Sequence, residues 1–215
     1  MGERLAVAIE AGDKKAFASA LEWPGWSRSG KTKEAAIEAL LAYSSRYDAV
    51  ARLAGVPFPA SFDAEVVEEA GGGSGTDFGV PSVLTHAADG RPVDAREAAR
   101  LASIVEAAWT TLDDIAAGAP AELRKGPRGG GRDRDKMVAH VNEADWYYAK
   151  ELGIRVPAPK SRADTKGLRA AMLEVLRQPS GGSPLADRKW PQRYAARRIA
   201  WHALDHAWEM EDRSE

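Results

Sequence analysis

Apolar residues follow two different rhythms along this chain. Up to about residue 70 they come in short runs divided by turn residues: Leu5-Ala-Val-Ala-Ile9, then Phe17-Ala-Ser-Ala-Leu21, halted at Trp23-Pro24-Gly25. Runs of that length bounded by Gly and Pro predict two strands and a turn. The spacing then becomes helical. Ile37, Leu40, Leu41, Ser44 and Tyr47 recur at intervals of three and four, Thr32 stands where an N-cap belongs, and Gly55 with Pro57 ends the run. Ala64-Glu-Val-Val-Glu-Glu69 predicts a further strand before the glycine-rich loop Gly71–Gly75. Residues 1–75 are therefore expected to form a small α+β module, a short antiparallel sheet with one helix, and residues 76–93 a linker.

From Asp94 onward only the helical rhythm remains. Asp94 followed by Glu97 has the form of a capping box, and Leu101, Val105, Ala108, Leu112 and Ile115 follow at helical spacing as far as Gly118. Further helices are predicted from about 135 to 152 and 164 to 178, each closed by Gly or Pro, and a last one after Trp190-Pro191 to about 212. Four amphipathic helices with one apolar stripe each are best satisfied by an all-α four-helix bundle over residues 94–215.

Composition narrows the chemistry. The chain has 215 residues, enough for one large domain or two small ones, and its net charge of −2 lacks the positive excess of a general nucleic-acid binder. It contains no cysteine, which excludes disulfides, thiolate metal sites and a cysteine nucleophile. No apolar run reaches the roughly 18 residues of a membrane span, and the first residues lack the apolar stretch of a secretion signal, so a cytoplasmic location is expected.

Histidine is scarce, 4 residues in all, and three of them fall on inward-facing stripes. On the last helix Ala195, Ile199, His202 and His206 share one face; on the second, Met137, His140, Ala144 and Tyr148 do. Neutral imidazoles converging from two facing helices are the ligand set of a three-histidine site for zinc or a similar ion, with a position left for water or substrate. Core packing of the same histidines is the plain alternative. Glu143 and Glu209, each one turn beyond a histidine, are candidates to orient an imidazole or act as a base. His86 falls in a predicted loop and reads as a surface residue. Trp201, Leu204 and Trp208 give the last helix a second apolar face, expected to pack on the N-terminal module or on a second subunit.

His140-Val-Asn-Glu-Ala-Asp145 followed by Trp201-His-Ala-Leu-Asp-His206-Ala-Trp-Glu209 resembles the DinB family, named for DNA-damage-inducible proteins, over about residues 94–213. The resemblance implies a four-helix bundle holding one divalent metal, zinc or nickel foremost, through His140, His202 and His206. It also implies frequent dimers and, among the best-understood relatives, transfer or isomerisation with an external thiol such as mycothiol or bacillithiol. The stretch between His140 and His202 is shorter than is usual there, which bears on substrate more than on metal.

Gly25-Trp-Ser-Arg-Ser-Gly30-Lys31-Thr32 matches the phosphate-loop pattern, but the chain lacks the parallel strands that fold requires, and Trp26 and Arg28 are bulky where amides should wrap a phosphate. Phe17–Trp26 with Gly30-Lys-Thr-Lys-Glu-Ala-Ala-Ile37 instead resembles the HicB-like antitoxin module, over about residues 1–70, which implies an interaction or dimerisation role. Gly126–Arg134 is expected to be a solvated loop, with an anion held by Arg128 and Arg132 as the alternative.

Together these features lead us to expect a metal-dependent enzyme acting on a small molecule by hydrolysis or transfer, its substrate set by pocket walls whose shape does not follow from periodicity. A non-catalytic interaction or regulatory protein, its metal only bracing the helices, is the alternative. A homodimer is expected, and neither membrane nor nucleic acid is.

Overall fold

The computed structural model describes residues 2–81, 83, 86–126 and 131–214. It is a mixed α/β protein, a four-stranded sheet followed by a helical region. Strands β1 (Glu3–Ala11), β2 (Ala16–Ala20), β3 (Ser27–Gly30) and β4 (Phe62–Gly71) lie in the order β3-β2-β1-β4. Strand β2 and most of β1 are buried, which is why both read as nearly unbroken apolar runs.

Three expectations for this half need correction. The sheet is not wholly antiparallel: β4 runs parallel to β1, from Glu3↔Phe62 to Ala11↔Gly71, with a bulge between Val7 and Ala8. Hydrophobic patterning marks a strand but not its direction, and the long crossover through β2, β3 and two helices is what permits a parallel pair. The predicted single helix is two, α1 (Lys33–Ala42) and α2 (Ser44–Leu53), broken at Tyr43. Residues 76–93 are not a bare linker, because α3 (Ser74–Phe78) and a 3₁₀ turn at Ala87–Gly90 lie there. The buried Glu10 carboxylate accepts from the Thr76 hydroxyl and, at 2.8 Å, from the Val83 amide, fastening this segment to β1.

Thr32 caps α1, its hydroxyl accepting from the Ala35 amide at 3.2 Å. The Gly25–Thr32 stretch is no phosphate cradle. Trp26 is buried, stacks on Tyr47 at 5.2 Å and donates from its indole to Leu40 O, while Ser27–Gly30 is a paired strand. Gly25 has φ +88°, and a Cβ there would stand 2.9 Å from Ala200 and Leu204, so only glycine lets this turn touch the last helix.

The second half contains α4 (Ala95–Gly118), α5 (Arg134–Glu151), α6 (Arg162–Leu176) and α7 (Gln192–Asp212). Asp94 caps α4 by accepting from the Glu97 amide at 2.8 Å, but the Glu97 carboxylate turns away to Arg100 and Arg193, so only half of the capping box forms. Helix α4 packs along α7 and also meets α5 and α6, while α5 lies against both α6 and α7. Gln192 joins the end of α6 to the start of α7, donating to Leu176 O and Gln178 O. No helix among the described residues is long and apolar enough to cross a membrane.

One contiguous apolar core runs from the sheet into the helices. The second face of α7 accounts for this. Trp201, Leu204 and Trp208 are buried, Trp201 meeting Phe17 at 6.3 Å and Trp208 meeting Tyr43 at 5.2 Å, so the N-terminal sheet and its helices cover the face that two tryptophans would otherwise expose.

Candidate metal centre

His140 comes from α5 and His202 and His206 from α7, and the packing of these helices brings the three rings together. Ring centroids stand 5.0 Å apart for His140–His202, 5.1 Å for His140–His206 and 4.8 Å for His202–His206. One nitrogen from each ring lies within 4.8 Å of the other two. Nitrogens bound to a tetrahedral zinc stand roughly 3.3 Å apart, so modest side-chain rotation converts this cluster into a ligand set. Among the described residues it is the group of three whose geometry could hold a metal ion.

The spacing on α7 does most of the positioning. Residues four apart on a helix share a face, so His202 and His206 stack one turn apart beside Ile199. The stripe on α5 is less simple than its periodicity suggests. Its buried residues are Met137, Val141, Asp145 and Ala149, with His140, Ala144 and Tyr148 half-buried along one side. His140 therefore lies at the edge of the core, where it reaches α7 and keeps some access to solvent.

Burial holds His202 neutral: its pKa is pushed down to about 2, helped by the positive fields of His206 and Arg198. His140 is lowered for the same first reason and then by Arg132. Neutral imidazole is the form that binds metal. Nδ1 of His202 is buried and meets no hydrogen-bond partner among the described residues. A buried ring nitrogen without a partner costs free energy that a leucine at the same position would not. The donor set and the orphaned nitrogen both suit a bound divalent cation.

His206 is held differently. Its Nδ1 lies 3.1 Å from Oε2 of Glu209, whose Oε1 accepts from Arg213 Nη1 at 2.7 Å. The His206 bond is the chief influence holding the Glu209 carboxyl below its usual range. A carboxylate on one ring nitrogen fixes the ring and leaves the other nitrogen free to face a metal. Arg213 is itself held, donating from Nε to Arg124 O, and Gly131 at φ +116° passes so close over its guanidinium that a Cβ would clash. Arg124 and Gly131, both between α4 and α5, thus pack on the Arg213 end of the Arg213–Glu209–His206 chain. Arg128 of that loop lies outside the described residues.

Glu143 sits elsewhere. It is exposed, lines a separate cleft and forms no hydrogen bond to a histidine among the described residues, touching the centre only through its field on His140.

His86 is a correction. Far from being a surface residue it is 6% exposed, with Nδ1 3.3 Å from Glu68 and its backbone amide donating to Asp89. Arg197 of α7 donates to the same Asp89 carboxylate at 2.7 Å. Loop assignment from local composition cannot see that α7 packs over this segment.

Sequence reasoning also missed a second polar cluster on α5. Asp145 is fully buried and meets Arg169 of α6, which also binds Asp113 of α4 and Asn142. The signal was present, since Asp145 falls four residues after Val141 and eight after Met137, on the apolar stripe itself.

Compared with models of known protein families, with curated proteins and with solved structures, the chain finds no match.

Proposed function

We propose that this chain is a divalent-metal-dependent enzyme whose last four helices form a DinB-like four-helix bundle, with His140, His202 and His206 as metal ligands. The observation that carries this reading is the convergence of three imidazoles, one of them buried with a nitrogen that meets no partner among the described residues. Such an arrangement costs stability unless an ion occupies it. When bound, a divalent ion there would supply Lewis-acid activation of a water or of an external thiol.

The protein's own residues then do specific work. Glu209 orients His206 and keeps its second nitrogen available, and the bond to His206, with that from Arg213 after it, keeps Glu209 ionised. His140, at the edge of the core, leaves one side of the centre accessible to a small substrate. With no cysteine in the chain, a thiol nucleophile must come from outside, as mycothiol or bacillithiol would. The HicB-like N-terminal module covers the back of α7 and so steadies the helix that carries two of the ligands.

Elemental mass spectrometry of the full chain tests this directly. About one equivalent of metal is expected in the native protein and none in the His202→Ala, His206→Ala double variant. No metal after reconstitution with zinc and with nickel would leave the histidines as core residues and favour a non-catalytic interaction protein.

A further inference from the structure

The face of α5 opposite His140 borders a cleft of about 700 Å³ between α4, α5 and α6 and the loop leading into α6. That volume lies in the range of small-molecule sites. Its inner wall is apolar, built from Val138, Ala139 and Trp146 of α5 with Ala116 and Ala117 of α4. Trp146 is fixed, its indole donating to Val156 O at 2.8 Å and its ring carrying the Lys150 ammonium at 3.4 Å.

Charge is distributed unevenly around this wall. Arg169 and Asp113 pair with each other, as do Arg134 and Asp135, so these four nearly cancel. What remains is Lys160, Arg162 and Lys166 on the side of α6, none of them in an ion pair among the described residues, against the single carboxylate of Glu143 on α5. The floor is rigid, because Arg169 is nine-tenths buried and held from three sides by Asp113, Asn142 and Asp145. A cleft with an apolar wall and three cations outside any ion pair on one rim, of which Lys160 lies in the field of a carboxylate, Asp164, suits an organic anion.

We propose that this cleft binds a small molecule with an apolar or aromatic body and one carboxylate or phosphate group. The body lies against Trp146 and Val138, and the anion is held by Lys160, Arg162 and Lys166. The site is separate from the histidine centre, which faces the other side of the same helix.

The test follows the Trp146 indole N–H signal by nuclear magnetic resonance in the full chain. The probes are phenylacetate, phenyl phosphate and, as the control of opposite charge, phenethylammonium. Both anions are expected to shift Trp146 at millimolar concentration while leaving Trp201, beside His202, unmoved. The stronger of the two identifies the carboxylate or phosphate class. Reversing two charges with Lys160→Glu and Lys166→Glu should weaken binding about tenfold. If that double variant fails to fold, Arg162→Glu alone should weaken it by a smaller but measurable factor. Absence of a Trp146 shift, an equal shift with phenethylammonium, or affinity unchanged by charge reversal overturns the proposal; a shift at Trp201 in place of Trp146 overturns it in favour of binding at the histidines.

Discussion

Helix α5 carries a buried polar cluster on each of two faces, and the two are built on opposite principles. Toward α6, Asp145 meets Arg169, and Arg169 meets Asp113, so each buried charge has a counter-charge. Toward α7, His140, His202 and His206 gather with cations around them, Arg132 and Arg198 acting to lower the pKa of His202. The first cluster closes in charge, although Oδ1 of Asp145 is buried with no hydrogen-bond partner among the described residues. The second gathers three like groups, and the buried atom it leaves without a partner among the described residues is a ring nitrogen of His202, where an aliphatic side chain would pack at no such cost. Charge balance, rather than the presence of an unpartnered atom, is what separates the two clusters.

The sharpest way to break this contrast is to open the closed cluster. Arg169→Met leaves Asp145 buried without its main counter-charge, and such losses cost about 3–5 kcal/mol near neutral pH. Urea denaturation should show that loss, shrinking in acid as Asp145 takes up a proton. A loss under 1 kcal/mol would mean that the network is slack. The histidine cluster should behave in the reverse sense. Zinc held at about a hundredfold above its dissociation constant should stabilise the native chain by about 2.7 kcal/mol and the His202→Ala, His206→Ala variant not at all. Without metal, His202→Leu should be as stable as the native protein or more so, which is not expected of a histidine kept for packing.

Acid dependence separates the clusters next. Burial raises the Asp145 carboxyl to about 6, against the pull of Arg169 and Trp109, from an ordinary value near 3.8. Between those values the folded chain holds a proton that the unfolded chain has released, so stability through this group falls as pH rises from 4 to 6. The decline should amount to about 1–3 kcal/mol and should vanish in Asp145→Asn, whose stability stays flat across that window. Equal slopes in the two proteins would show that Asp145 is ionised throughout.

How much of this could be read from the residues depends on whether a feature is local. The helices of the second half are periodic over many turns and end at Gly or Pro, so their positions are legible, and so is the meeting of His202 with His206 at one turn's spacing. His140 joins them only because α5 packs on α7, which required a guess about topology. The direction of β4, the break at Tyr43 and the burial of His86 under α7 leave no local mark. Asp145 did leave one, a charge on an apolar stripe, but its partner Arg169 and the Asp113 that Arg169 also binds lie on other helices, and no spacing rule connects them.

The smallest effects discriminate the two candidate carboxylates. Glu209 touches His206 and Arg213, whereas Glu143 is exposed on the cleft side of α5. If Glu209 orients a ligand, Glu209→Gln keeps the volume and a hydrogen bond to the ring but loses the charge, and metal affinity should fall about tenfold, near 1.4 kcal/mol. Arg213→Ala should produce a smaller loss, since it acts on the metal only through Glu209. Glu143→Gln should leave metal affinity unchanged, because nothing connects that side chain to the histidines except its field. Competition for zinc against a chelator of known affinity measures all three. Equal losses for Glu143→Gln and Glu209→Gln would mean that the metal responds to the summed negative field near α5 and α7, and the hydrogen bond to His206 would then carry no special role.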